Sequence, residues 1–304
     1  IPLLPPLDIS SSENGIINLP NNVDTIFTNI GNRYTHLETP NGDFIQFLIQ
    51  DDFSEDMVVY VKNILSSFLI NLPDSQWGSD KSSIANSIAS NNAILFLLNN
   101  EEEYENPNFE ILLDAGVKGQ DLLATEVFPE GVYEYNQSIK RSAVYEEVLH
   151  FIHVYGIQPS SPWLQSEVLE AMNMAIENSY YNPLDDLPVE DYDEEYLAMG
   201  LECYFGLWAH NPSGNGYSGD NEYAFNTRNL MEQGDIRLYN IIKGFFGDSF
   251  LYTPTLPDQF NGLFSLNFDS QEIYTHKSQY LKNIKSSGAQ NISIHGNHLD
   301  NSIV

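Results

Sequence analysis

Cysteine, basic residues and long apolar runs are all scarce in this chain. A single cysteine in 304 residues, Cys203, excludes an intrachain disulfide framework, and its apolar neighbours suit a small buried hydrophobe. Lysine and arginine together number 12 against 43 aspartates and glutamates, a formal net charge of −31. A surface of that sign repels phosphate backbones and anionic headgroups, so neither nucleic acid nor a membrane surface is an expected partner. The longest apolar run, Ala93 to Leu98, is far too short to cross a bilayer. No basic stretch followed by an apolar one stands at the amino end, and the opening Ile-Pro-Leu-Leu-Pro-Pro reads as a processed or trimmed piece of something longer. Gly-x-Ser-x-Gly elbows, phosphate-binding glycine loops and dinucleotide fingerprints are also missing.

What is present is a folding sequence. Hydrophobic residues make up 42% and aromatics 12%, enough to bury a large core as one domain or two lobes. Residues 1–25, rich in Pro, Asn and Ser, read as an extended lead-in. Phe44 to Ile49 predicts a strand, Ser54 caps a helix carrying Met57, Val58, Val61, Ile64, Leu65 and Phe68, and Pro73, Asp74 and Gly78 mark a loop. A helix over Lys81–Ser90, a strand over Ala93–Leu98, a solvated acidic loop at 99–110 and an edge strand over Leu122–Phe128 follow. Helices are then expected over Ile139–Tyr155, closed by Gly156 as its C′ residue, and over Trp163–Tyr180 and Glu194–Ala209. The Pro- and Asp-rich stretch Asn182–Asp193 and the glycine-rich Asn211–Gly219 read as loops. Two further helices are placed near Ala224–Met231 and over Ile236–Phe246, and the remainder reads as irregular. The order implies an α+β fold: a sheet-containing lobe at 26–156, a helical lobe at 157–285, and a distinct tail at 286–304.

The densest chemistry lies in Tyr145-Glu-Glu-Val-Leu-His-Phe-Ile-His153. On a helix, Glu146, His150 and His153 fall within an arc of about 60°, with Glu147 about 60° beyond His150, while Val144, Val148, Leu149, Phe151 and Ile152 fill the core side. Carboxylate and imidazole at i and i+4 on one face of a buried helix are the ingredients of a metal site. The same groups on a solvated helix of an acidic protein would mean nothing more than surface charge. His153 reads as an exposed or supporting histidine in preference to a ligand. Downstream, Glu195 and Glu202 are seven residues apart on a shared helix face, opposite Leu197, Leu201, Tyr204 and Trp208. His210, Tyr217, Asp220, Glu222 and Tyr223 flank the glycine-rich loop, where a tyrosine hydroxyl is a candidate oxyanion donor.

In frame, Glu146-Glu147-Val148-Leu149-His150 resembles the zincin motif His-Glu-x-x-His with its first His replaced by Glu. Glu195-Tyr196-Leu197-Ala198, 45 residues beyond His150, resembles the third-ligand segment of anthrax lethal-factor-like metallopeptidases. The two segments and their helices cover about a fifth of the chain. The resemblance implies a zincin-like fold, a small mixed-sheet amino lobe with an active-site helix and a mainly helical carboxyl lobe. It implies Glu146, His150 and Glu195 as metal ligands, Glu202 as a supporting or alternative ligand, Glu147 as general base and acid, and a peptide or protein substrate. Zinc is the metal the resemblance implies; two carboxylates and one imidazole shift preference toward harder ions such as manganese, iron or calcium, and make a bound water less acidic.

The tail Ala289-Gln-Asn-Ile-Ser-Ile-His-Gly-Asn-His-Leu-Asp-Asn-Ser-Ile303 resembles the entry into the glycine- and aspartate-rich nonapeptide calcium repeats of repeats-in-toxin exoproteins. That implies calcium at the carboxyl end and a secreted protein exported by a type-I-like route. Three functions from different classes follow: a secreted metal-dependent peptidase; a non-catalytic binding or adhesion module of a calcium-repeat exoprotein with a degenerate metal site; and a hydrolase acting on polysaccharide through acidic pairs, which chelators would not inhibit.

Overall fold

In the computed structural model the described residues are 1–136, 142–207, 222–267, 278–286, 288 and 291–304. A five-stranded mixed sheet has the order β1-β2-β3-β4-β5, with β1 Ile17–Asn18, β2 Arg33–Glu38, β3 Phe44–Ile49, β4 Ile94–Leu98 and β5 Gly119–Leu123. The first three strands pair antiparallel and the last three parallel, leaving β5 as an edge. The near-continuous apolar runs of β3 and β4 are those of strands buried on both faces. Ile45, Phe47, Leu95 and Leu97 point into the main core, while Leu48, Ile94, Phe96 and Leu98 point into a second one. That second core is closed by Leu4, Val23 and Phe27, so the lead-in and its short helix α1 (Thr25–Thr28) cover a sheet face.

Helix α2 (Glu55–Phe68) starts where Ser54 Oγ accepts a hydrogen bond from the Met57 amide at 3.2 Å, and it buries Val58, Val61, Ile64, Leu65 and Phe68. Helix α3 (Ser82–Ser90) follows. The acidic stretch expected as a loop is instead a 3₁₀ turn, Glu101–Glu105, and a helix α4, Pro107–Asp114. Asn106 caps α4 through the Asn108 amide and Pro107 opens it, which outweighs the polar composition. The edge strand ends at Leu123, earlier than expected, and a 3₁₀ turn spans Ala124–Glu126.

Helix α5 runs Val144–Ile152 and continues into a wider π turn, His153–Ile157, before the short α6, Gln158–Ser160. Residues 139–141 of the expected helix lie outside the described residues. Gly156 is not a terminating residue. It lies inside the π turn, where a Cβ would stand 2.6 Å from Ile84 Cγ2, so its bare Cα is what lets α3 approach. Helix α7 is Pro162–Glu177 and α8 is Tyr192–Phe205, ended by Gly206 in the left-handed region at φ 68°. Trp208 and Ala209 lie outside the described residues. Helix α9, Arg228–Gly234, is capped by Thr227, later than expected, and α10, Ile236–Phe246, matches its sequence expectation.

The described residues of the segment expected to be irregular carry five short strands: β6 Thr255–Leu256, β7 Gly262–Ser265, β8 Asn283–Ser286, β9 Ile292–His295 and β10 Ser302–Ile303. β6, β8 and β10 form one parallel sheet, β7 and β9 another. One cluster of buried residues runs from Ile45 on the sheet through Val148, Leu197 and Phe246 to Ile284. The fold is mixed α+β, with α5 and α8 packed together inside it.

Candidate metal centre

The π-extended α5 and the buried α8 supply the centre. Val144, Val148, Leu149, Phe151 and Ile152 fix one side of α5 in the core. This turns Glu146, Glu147 and His150 toward α8 and the sheet edge. Ligand atoms of Glu146, His150 and Glu195 all lie within 4.8 Å of one another. His150 is 6% exposed, with Nε2 at 3.9 Å from Glu195 Oε1 and Nδ1 at 3.7 Å from Glu147 Oε2. Nε2 is buried with no hydrogen-bond partner. An orphaned buried nitrogen beside two carboxylates has the geometry that a divalent ion would complete, and the donor set of two oxygens and one nitrogen suits such an ion.

Charge is the dominant physical fact here. Burial alone pushes the His150 imidazole down, yet Glu147, Glu146 and Glu195 overcome it and hold the pKa up to about 10. Burial pushes Glu195 up to about 7, opposed by His150 and reinforced by Glu146, Glu147 and Glu222. Glu194 is likewise pushed up to about 7 by burial, and Glu147 is raised for the same reason. Several carboxylates thus share one imidazolium, an arrangement that a bound cation would relieve.

Glu147 Oε2 accepts a hydrogen bond from Gln120 Nε2 on β5 at 2.7 Å. Neither Gln120 nor Glu194 was singled out from the sequence. Gln120 lies 27 residues from its partner, with no periodic signal to connect them. Glu202 is 2% exposed on α8 and is not one of the three converging ligands. His153 is fully buried: its Nε2 is 2.7 Å from Gln165 Oε1 and 3.6 Å from Asp193 Oδ2, and Gln165 Nε2 donates to Asp193 Oδ2 at 2.6 Å. It ties α5 to α7 and α8 and stands apart from the ligand set.

Of the residues flanking the glycine-rich loop, His210, Tyr217 and Asp220, like the loop itself, lie outside the described residues. Glu222 is described and belongs to the acidic surroundings of Glu195. Tyr223 donates to Asp235 Oδ2 at 3.1 Å, so its hydroxyl is committed to the core. Tyr181, not anticipated, is fully buried with an unpartnered hydroxyl, and Glu195 is the largest charge acting on it. Cys203 is buried, and burial raises its thiol pKa well above the ordinary value. No helix among the described residues is long and apolar enough to cross a membrane. No protein-family model, curated protein or solved structure matches the chain.

Proposed function

We propose that this chain is a secreted, metal-dependent hydrolase of zincin-like arrangement that cleaves peptide bonds. The observation that carries the reading is the convergence of Glu146, His150 and Glu195 within 4.8 Å around a buried imidazole nitrogen that has no other partner. In this reading those three residues hold a divalent ion, zinc by resemblance, with manganese, iron or calcium suited to the carboxylate-rich set. When bound, the ion would polarise the scissile carbonyl and acidify the attacking water. Glu147 would take that water's proton and return it to the leaving amine, with Gln120 fixing one of its oxygens. Glu202, buried further along α8, would support that helix or serve as an alternative ligand.

Glu147 also faces Nδ1 of His150, so it has two separable roles. A Glu147→Gln variant keeps an oxygen to accept from the imidazole and loses the ability to take a proton. Casein or peptide-library hydrolysis should fall by about 10²-fold or more while bound metal, measured by elemental analysis, is unchanged. Retained hydrolysis would leave Glu147 as an orienting group and dismiss the mechanism.

A second reading draws on the carboxyl end. The chain passes alternately between two parallel sheets through β6 to β10, as the coils of a two-faced solenoid do. Asn297 Nδ2 donates to the Leu281 carbonyl at 2.7 Å and Asn301 Nδ2 to the same carbonyl at 3.2 Å, joining successive turns. This supports a calcium-repeat exoprotein in which the centre is a binding or adhesion scaffold. Bound metal with no turnover on any peptide would favour it.

A further inference from the structure

A groove lies between the 3₁₀ turn at Glu101–Glu105 and helix α4, with a volume of about 450 Å³. Its apolar floor is Tyr104, Phe109 and Leu113, and its rim carries Glu105, Glu110 and Asp114. Tyr104 is 51% exposed and Leu113 46%, large apolar surfaces that nothing in the fold covers. The i, i+4 spacing of Phe109 with Leu113, and of Glu110 with Asp114, sets an apolar stripe beside an acidic one. Among the described residues none of the three rim carboxylates makes an ion pair. Tyr104 ties the groove to the edge strand, on the sheet face opposite the one that Gln120 and α5 occupy. Tyr104 donates to Asp121 Oδ2 at 2.7 Å, Asp121 follows Gln120 on β5, and Glu147 is among the charges that raise the Tyr104 pKa.

We propose that this groove docks an extended polypeptide segment in which basic side chains alternate with apolar ones. Apolar side chains would cover Tyr104 and Leu113, and lysine or arginine would meet the three unpaired carboxylates. Acidic polymers are repelled by the same rim. A flat polar ligand such as a sugar chain would leave the Leu113 side chain unused. Such a segment, held across the edge strand from the centre, would be the substrate class of the hydrolase reading; only that consequence rests on that reading, and docking itself needs no metal.

The test is fluorescence anisotropy of the full chain with a fluorescein-labelled decapeptide of alternating lysine and leucine, in about 0.15 M salt, with and without chelator. An alternating glutamate–leucine decapeptide is the control. The expected result is binding of the basic peptide alone, unchanged by chelator. Binding should weaken about tenfold in Glu110→Lys and several-fold in Leu113→Asn, and by less than about twofold in Glu177→Lys, a charge reversal on an exposed end of α7. Equal weakening in Glu110→Lys and Glu177→Lys would show attraction to the overall charge and overturn the proposal. So would indifference to Leu113→Asn, or no binding. Docking with no hydrolysis of the docked peptide, or hydrolysis insensitive to both groove variants, would overturn the groove's role in choosing a substrate while leaving docking itself intact.

Discussion

Lys81 is 1% exposed and, among the described residues, has no carboxylate partner; its Nζ donates to the Phe68 carbonyl at 2.7 Å and lies 4.2 Å from the centroid of the Phe245 ring. Burial lowers its pKa from an ordinary 10.5 to about 7. The unfolded chain therefore keeps a proton that the folded one releases between those values, and stability should rise as pH increases from about 7 to about 10. Lys81→Met should flatten that rise, read as urea midpoints across the interval; an unchanged slope would mean the amine stays charged in the core. The centre shows the same competition with a different winner, because His150 has three carboxylates where Lys81 has a carbonyl and two aromatic rings. Glu146 and His150 were legible because an i, i+4 pair on one helix is a local pattern, and Glu195 because its segment resembles a known ligand segment. Gln120, Glu194 and Tyr181 were not, since their importance comes from what the fold brings beside them.

Helix α5 owes its position to close packing at its carboxyl end. The π turn at His153–Ile157 carries Gly156 against Ile84, and Tyr155 Oη both donates to the Gly119 carbonyl at 2.9 Å and accepts from the Gly119 amide at 3.1 Å. Helix α5 is thereby joined to both α3 and the edge strand. In Gly156→Ala the added methyl meets Ile84 Cγ2 at 2.6 Å and the Ile84 carbonyl at 3.2 Å. Overpacking costs about 1–3 kcal/mol, against about 1 kcal/mol gained in helical propensity. Net destabilisation of about 1 kcal/mol is expected, measured by chemical denaturation, and a more stable variant would show that α3 can move away freely. Long periodic helices such as α2 and α10 were legible for the same reason that they are stable: their apolar stripe repeats over several turns. The strands of the carboxyl end span two to four residues each, too short for alternation to register. Helix α4 was hidden by the acidic run Glu101–Glu105 just before it, although Asn106-Pro107 is a start signal.

At the scale of the whole molecule, a net charge of −31 works against compactness, and the acidic centre concentrates that repulsion. Screening should relieve it, so the melting temperature is expected to rise as sodium chloride increases from about 0.05 to about 0.5 M; a fall would mean that favourable ion pairs dominate. The few pairs among the described residues, such as Arg237 with Glu170 at 3.0 Å, are too sparse and too exposed to outweigh the excess. A divalent ion at the centre would act in the same direction as salt, but specifically and at far lower concentration.

Metal content of the purified chain, with an anomalous-scattering map at the centre, tests that claim most directly. One ion per chain bonded to Glu146, His150 and Glu195 is predicted, and it should be lost in both His150→Ala and Glu195→Gln. Absence of any ion after incubation with zinc or manganese, or an ion that survives both substitutions, would contradict the account.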